Sequence, residues 1–116
     1  MASAVARVET FFSGLEPGDV ARLGEIYTDD AWFKDPFNEV RGLAAIQGIF
    51  AHMFTALDRP RFIITGRIVQ DQECFLSWEF RFHFRRFDQA TEQVVRGGSH
   101  LQLADDGRIA WHRDYW

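Results

Sequence analysis

The chain contains one cysteine, Cys74, with three prolines and two methionines in 116 residues. A single cysteine excludes an intrachain disulfide framework and fits a reducing compartment. Basic residues are scarce as well: 13 Lys and Arg stand against 17 Asp and Glu, for a formal net charge of −4. Arg85–Arg86 is the only adjacent basic pair. No electrostatic footprint for nucleic acid follows from such a pattern. No apolar run approaches the length of a membrane span. The opening "MASAVARVETFF" has neither the basic n-region nor the apolar h-region of a signal peptide. A soluble cytoplasmic protein is the expectation, with no nucleic-acid or membrane partner. The four histidines never fall at metal-ligand spacing with a third ligand, which argues against a zinc site.

Aromatic residues, by contrast, are plentiful. They make up 16% of the chain, twelve of them Phe, within a hydrophobic fraction of 47%. One globular domain spanning residues 1–116 is expected. Val5, Val8, Phe11, Phe12 and Leu15 fall at helical spacing. "LEPGDV" interrupts them, and Asp19 reads as the N-cap of a short helix through Val20, Leu23, Ile26 and Tyr27. "TDD" closes that helix, "AWFKDPF" reads as a short strand and "NEVRG" as a loop. Leu43, Ile46, Phe50, Met53 and Leu57 then mark a long helix that "DRP" closes.

Four strands follow. "RFIITGRIVQD" is rich in β-branched residues and "ECFLSWEFRFHFRRF" alternates. "EQVVRGGSHLQLA" is third, with a bend or bulge expected at Gly97–Gly98. "DDG" signals a hairpin into "RIAWHRDYW". The class is α+β, an antiparallel meander with the helices on one face. Leu76, Trp78, Phe80, Phe82 and Phe84 share one face, expected towards the helices. Glu79, Arg81 and His83 on the other face read as an ion-pair ladder. Cys74 reads as a small buried apolar residue, and His52 and His100 as outward-facing.

Four stretches together resemble the nuclear transport factor 2-like superfamily, in particular its SnoaL-like and ketosteroid isomerase-like members. They are "EPGDVARLGEIYTDDAWFKDPF", "RGLAAIQGIFAHMF", the Trp78-Glu79-Phe80 strand and "DDGRIAWHRDYW". They cover nearly the whole chain in the family's order. The resemblance implies a conical barrel, a strongly bent and mostly antiparallel sheet around a long helix with a cavity at the wide end. It also implies isomerase, cyclase, dehydratase or epoxide hydrolase chemistry that uses no cofactor, and a homodimer.

Within that resemblance, "KDPF" aligns Asp35 with the Asp-Pro at which ketosteroid isomerases carry their general base. The alternative is that Asp35 caps the turn before Pro36. The isomerase's oxyanion Tyr aligns with Phe11, and its protonated acidic donor with Ser99. A developing enolate needs placed donors, and Phe11 supplies none, so a strict ketosteroid isomerase is not expected. By alternation His112, Asp114 and Trp116 share a face on the last strand, and the alignment turns it to the cavity. His112 and Asp114 are then a candidate oriented acid/base pair, or a structural pair. Asp114 is expected to face Asp35 across the cavity.

The catalytic candidates are therefore Asp35, His112 and Asp114. Phe11, Tyr27, Trp32, Phe50, Met53, Trp78, Ser99 and Trp116 are the expected substrate-binding positions. The corresponding function is cofactor-independent proton transfer on a small, largely apolar molecule. The competing readings are a non-catalytic ligand-binding or dimerisation module, and a protein-interaction module.

Overall fold

The computed structural model describes residues 2–116. Helix α1, Ala2–Ser13, buries Val5, Val8 and Phe12 at steps of three and four. Pro17–Glu25 winds as a 3-10 helix. Asp19 lies inside it rather than capping it. Its carboxylate reaches back to accept the Glu16 backbone N–H at 2.9 Å, a donor that a helix start leaves open.

Strand β1, Tyr27–Lys34, takes in the "TDD" expected to close a helix. Strand β2, Glu39–Arg41, occupies the stretch expected as a loop. Helix α2, Leu43–Ala56, passes without a loop into strand β3, Leu57–Gln70. "DRP" therefore opens a strand instead of closing a helix. Arg59 takes a left-handed φ of 50°, and the β3 ladder skips from Asp58 to Arg61. Pro60 is tolerated there because β3 is an edge strand. Strands β4, Glu73–Phe84, β5, Gln93–Leu103, and β6, Ile109–Tyr115, complete the fold.

All six strands form one sheet in the order β2-β1-β6-β5-β4-β3. The meander β3 to β6 is antiparallel, as the hairpin signals predict. The exception is β1, which inserts beside β6 in parallel and seats Phe33 next to His112. Irregular register in β3 and between Gln102 and Leu103 bends the sheet. The architecture is α+β, a mostly antiparallel curved sheet with the helices on its inner face. Phe33, Leu76, Leu101 and Ile109 meet Val8 and Ile46 there, each at most 2% exposed. Each such side chain stabilises the fold by about 1.5–3 kcal/mol.

Two expectations about β4 and β5 need correcting. Phe84, the last residue of β4, is 43% exposed. Gly97–Gly98 makes no bulge: β5 pairs with β4 in unbroken register from Gln93 to Gln102. The glycines answer a spatial demand instead. A Cβ on Gly97 would stand 2.5 Å from the Tyr115 carbonyl oxygen, and one on Gly98 2.3 Å from the Phe75 ring.

The obstacle at Gly97 is backbone, whereas the partly exposed Phe75 ring can swing aside. Gly97→Ala should therefore lower the unfolding free energy by about 1–3 kcal/mol, and Gly98→Ala by less, as measured in urea. A Gly97→Ala protein as stable as wild type would contradict this packing.

Candidate functional site

Helix α2 and the inner sheet face separate towards one end and enclose a cavity of about 370 Å³. Phe12 of α1 and Phe50 and Met53 of α2 form one wall. Phe62, Trp78, Phe80 and Phe82, from strands β3 and β4, form the opposite one. Polar groups enter from the ends of β1 and β6, from mid-β5 and from α2: Asp35, Asn38, Ser99, His112, Asp114 and His52. No Lys or Arg side chain reaches the lining.

The polar groups at the base are one connected chain. Trp78 Nε1–H donates to Ser99 Oγ at 2.9 Å. Ser99 Oγ–H donates to Asp114 Oδ1 at 2.5 Å. His112 Nε2 lies 2.5 Å from that same oxygen, and Tyr27 OH 2.7 Å from His112 Nδ1. An ionised carboxylate only accepts, so the shared Oδ1 assigns the proton on His112 to Nε2. In the neutral imidazole Nδ1 is then an acceptor, and the Tyr27 hydroxyl donates to it. Burial, and secondarily the Asp114 charge, push the Tyr27 phenol well above its ordinary pKa, which keeps it a donor. His112 is 4% exposed and Tyr27 wholly buried.

The network uses up its own donors. Trp78, Ser99, His112 and Tyr27 all point theirs along the chain. Among the described residues, Asp114 Oδ2 makes no hydrogen bond. The cavity base therefore offers a single open acceptor and no open donor.

Of the positions chosen from sequence, Phe50, Met53, Trp78, Ser99, Trp116, His112, Asp114 and Asp35 line the cavity. Three do not. Phe11 turns outward under Arg22, 5.7 Å from its ring centroid, while Phe12 faces in. Trp32 stacks on Trp111 at 5.0 Å across the outer face of the sheet, because alternation puts Phe33 inward. Tyr27 stands behind His112, outside the lining.

Asp35 meets the cavity only at its rim, and its carboxylate is engaged elsewhere. Oδ1 accepts the backbone N–H groups of Phe37 at 2.8 Å and Asn38 at 2.6 Å, and the Asn38 amide reaches both oxygens. That is the turn-capping arrangement. Asp35 and Asp114 also sit at the same end of the adjacent strands β1 and β6, rather than across the cavity from one another.

Other side chains lie at the margin of the site or away from it. His100 bonds Glu73 at 2.9 Å on the outer face. His52 is exposed at the cavity mouth. Arg81 bridges Glu79 and Glu92, and lowers the pKa of both carboxyls. Cys74 is buried, which raises its thiol pKa to about 11.

The Phe12 wall and the Tyr27 support have no local signature in the sequence. Phe12 differs from Phe11 only by rotation about a helix. Tyr27 and His112 are 85 residues apart and meet through the parallel β1–β6 pairing.

Tyr27→Phe should cost about 1–3 kcal/mol at neutral pH, because it leaves the buried Nδ1 of His112 without a donor. Tyr27 and Cys74 both have raised folded pKa values. Their stabilisation is complete below the unfolded values and is lost as pH climbs through and beyond them. Urea unfolding of wild type should weaken from about pH 9 upward, and Tyr27→Phe should weaken less steeply. Parallel slopes for the two proteins would contradict a buried phenol.

Relatives share the architecture. A protein of ketosteroid isomerase-like fold from Catenulispora acidiphila, solved in complex with trimethylamine, aligns at 17% identity and a TM-score of 0.81. That alignment covers 97% of this chain and 84% of that one. An NTF2-like protein of unknown function from Burkholderia pseudomallei aligns at 11% identity and a TM-score of 0.84, covering 100% and 92%. An LEH-like epoxide hydrolase of M. tuberculosis aligns at 17% identity and a TM-score of 0.78, covering 98% and 82%. These likenesses establish the cone-shaped fold of the ketosteroid isomerase-like and NTF2-like proteins. No curated protein matches the sequence. The profile of the SnoaL-like domain matches residues 8–112, and the chain therefore belongs to the SnoaL-like domain family.

Proposed function

We infer that the protein is a cofactor-independent enzyme that transfers a proton on a small, largely apolar molecule held in the cone cavity. The reaction class is that of an isomerase, cyclase, dehydratase or hydratase. One observation carries this reading: Asp114 has one oxygen fixed by two donors and the other open to an aromatic cavity. A carboxylate held that way has a set orientation, and its free oxygen can take a proton from the ligand and return it. His112 and Ser99 position it, and Tyr27 positions His112. Asp35, assigned the base by the family resemblance, becomes a residue that shapes the rim.

Ser99 spends its proton on Asp114, and Phe11 faces away from the cavity. Neither can stabilise an enolate oxygen, which argues against steroid isomerisation as such. A purely ligand-binding role is favoured by the same shortage of donors. It is opposed by the open carboxylate oxygen, since burying a charge without a partner is costly.

We also infer a homodimer, with the cytoplasm as the setting that suits a lone cysteine. The outer face carries a row of rings, Trp32, Trp111, Phe75 and Tyr115, of which Phe75 is 38% and Tyr115 46% exposed. Such a patch suits a second copy of the same face. Sedimentation should give a dimer at micromolar concentration and a monomer for Phe75→Lys. A monomeric wild type would remove the dimer.

Catalysis is tested by NMR of solvent-deuterium exchange into a panel of small C–H acids (ketones, esters, nitroalkanes and β-amino ketones). Wild type should accelerate exchange for at least one of them. Asp114→Asn should lower that rate about 10²–10⁴-fold, and Asp35→Asn should stay within about tenfold. Binding of panel members without exchange would make the cavity a binding site only. Equal losses in both variants would return the role to Asp35.

A further inference from the structure

The lining of the cavity has charge of one sign. Asp114 stands at its base and Asp35 at its rim, and neither Lys nor Arg faces it. The nearest basic residue in sequence, Arg113, points to the opposite face and lies 5.1 Å from the Tyr115 ring centroid. Arg61 and Arg81 are occupied outside by Glu92. A partly buried carboxylate is thus left without a Lys or Arg partner, and its neighbours His112 and Ser99 claim only its Oδ1. Leaving such a charge uncompensated is unfavourable.

The rest of the wall is largely aromatic and suits a cation. Eight aromatic rings line the cavity, and ring faces carry the negative part of the aromatic quadrupole. Several stand near the carboxylate. Trp78 is tied to it through Ser99. Phe33 lies 4.7 Å from the His112 ring, and Trp116 follows Asp114 by two residues on the same strand face. An open anionic acceptor among aromatic side chains, with no open donor beside it, complements a cation and opposes an anion.

We propose that the ligand of this cavity is a small organic cation, a protonated or quaternary amine on an apolar body, with its charged head beside the Asp114 carboxylate and the carbon next to that head at Oδ2. The inference rests on the cavity being the substrate site and narrows the substrate class. It also addresses the missing oxyanion donors. A positive charge on the substrate withdraws electrons from the bond being deprotonated, a task that donors perform elsewhere.

Three probes of matched shape test the charge alone: choline, neutral 3,3-dimethylbutan-1-ol and anionic 3,3-dimethylbutanoate. Calorimetry on wild type should order them cation, neutral, anion, with choline at least about tenfold tighter than the alcohol. In Asp114→Asn the cation should lose most of that advantage while the alcohol is bound as before. The comparison within wild type stands even if the variant does not fold. The proposal is overturned if the alcohol binds as tightly as choline, if choline does not bind, or if its advantage survives in Asp114→Asn. These readings involve no turnover. A failed charge preference therefore leaves proton transfer on a neutral substrate open, and failed deuterium exchange leaves a cation-binding cavity.

Discussion

The parallel pairing of β1 with β6 is the constraint on which the site depends. It seats Phe33 beside His112, and the same two strands bring Tyr27 up behind the imidazole. Without that pairing His112 would lie on an edge strand with only Asp114, of its own strand, to hold its ring. Because it forms, one imidazole nitrogen meets a buried phenol and the other a carboxylate at the cavity base. The orientation of Asp114 follows from contacts made 85 residues away in sequence.

Packing and polarity reinforce one another around that pair. Trp78, Ser99, His112 and Tyr27 are all buried, which makes each hydrogen bond between them stronger and each missing one more costly. The glycine pair lets β5 approach the end of β6 closely, with Gly97 against the Tyr115 carbonyl. Ser99, two residues further on, reaches Asp114 from the same strand. Tight backbone packing and the geometry of the carboxylate are thus parts of one arrangement. Its outcome is an acceptor facing the cavity with no donor beside it.

Much of this was legible in the sequence where a short period governs the side chain. Alternation along "WHRDYW" puts His112, Asp114 and Trp116 on the lining, and helical spacing does the same for Phe50 and Met53. The sequence is less informative where a half-turn or a distant partner decides. Phe11 and Phe12 are both apolar, and only the roll of α1 selects Phe12. Trp32 looks like a cavity residue by composition, yet the period-two pattern that turns Phe33 inward turns Trp32 out. Reading Tyr27 as the end of a helix hid β1's first residue, and with it the support for His112. Asp35 has two readings in the sequence, a cavity base by the family resemblance and a turn cap before Pro36, and its bonds from the Phe37 and Asn38 backbone are those of the turn cap.

The central claim is that the cavity base is an oriented carboxylate whose surrounding donors are all spent within the network. The hydrogen on His112 reports on this most directly, because its position fixes the direction of both bonds that His112 makes. Nitrogen-15 NMR of the imidazole at neutral pH should find Nε2 protonated and Nδ1 unprotonated, accepting from Tyr27. A proton on Nδ1, with Nε2 bare, would reverse the bond to Asp114 and contradict the account.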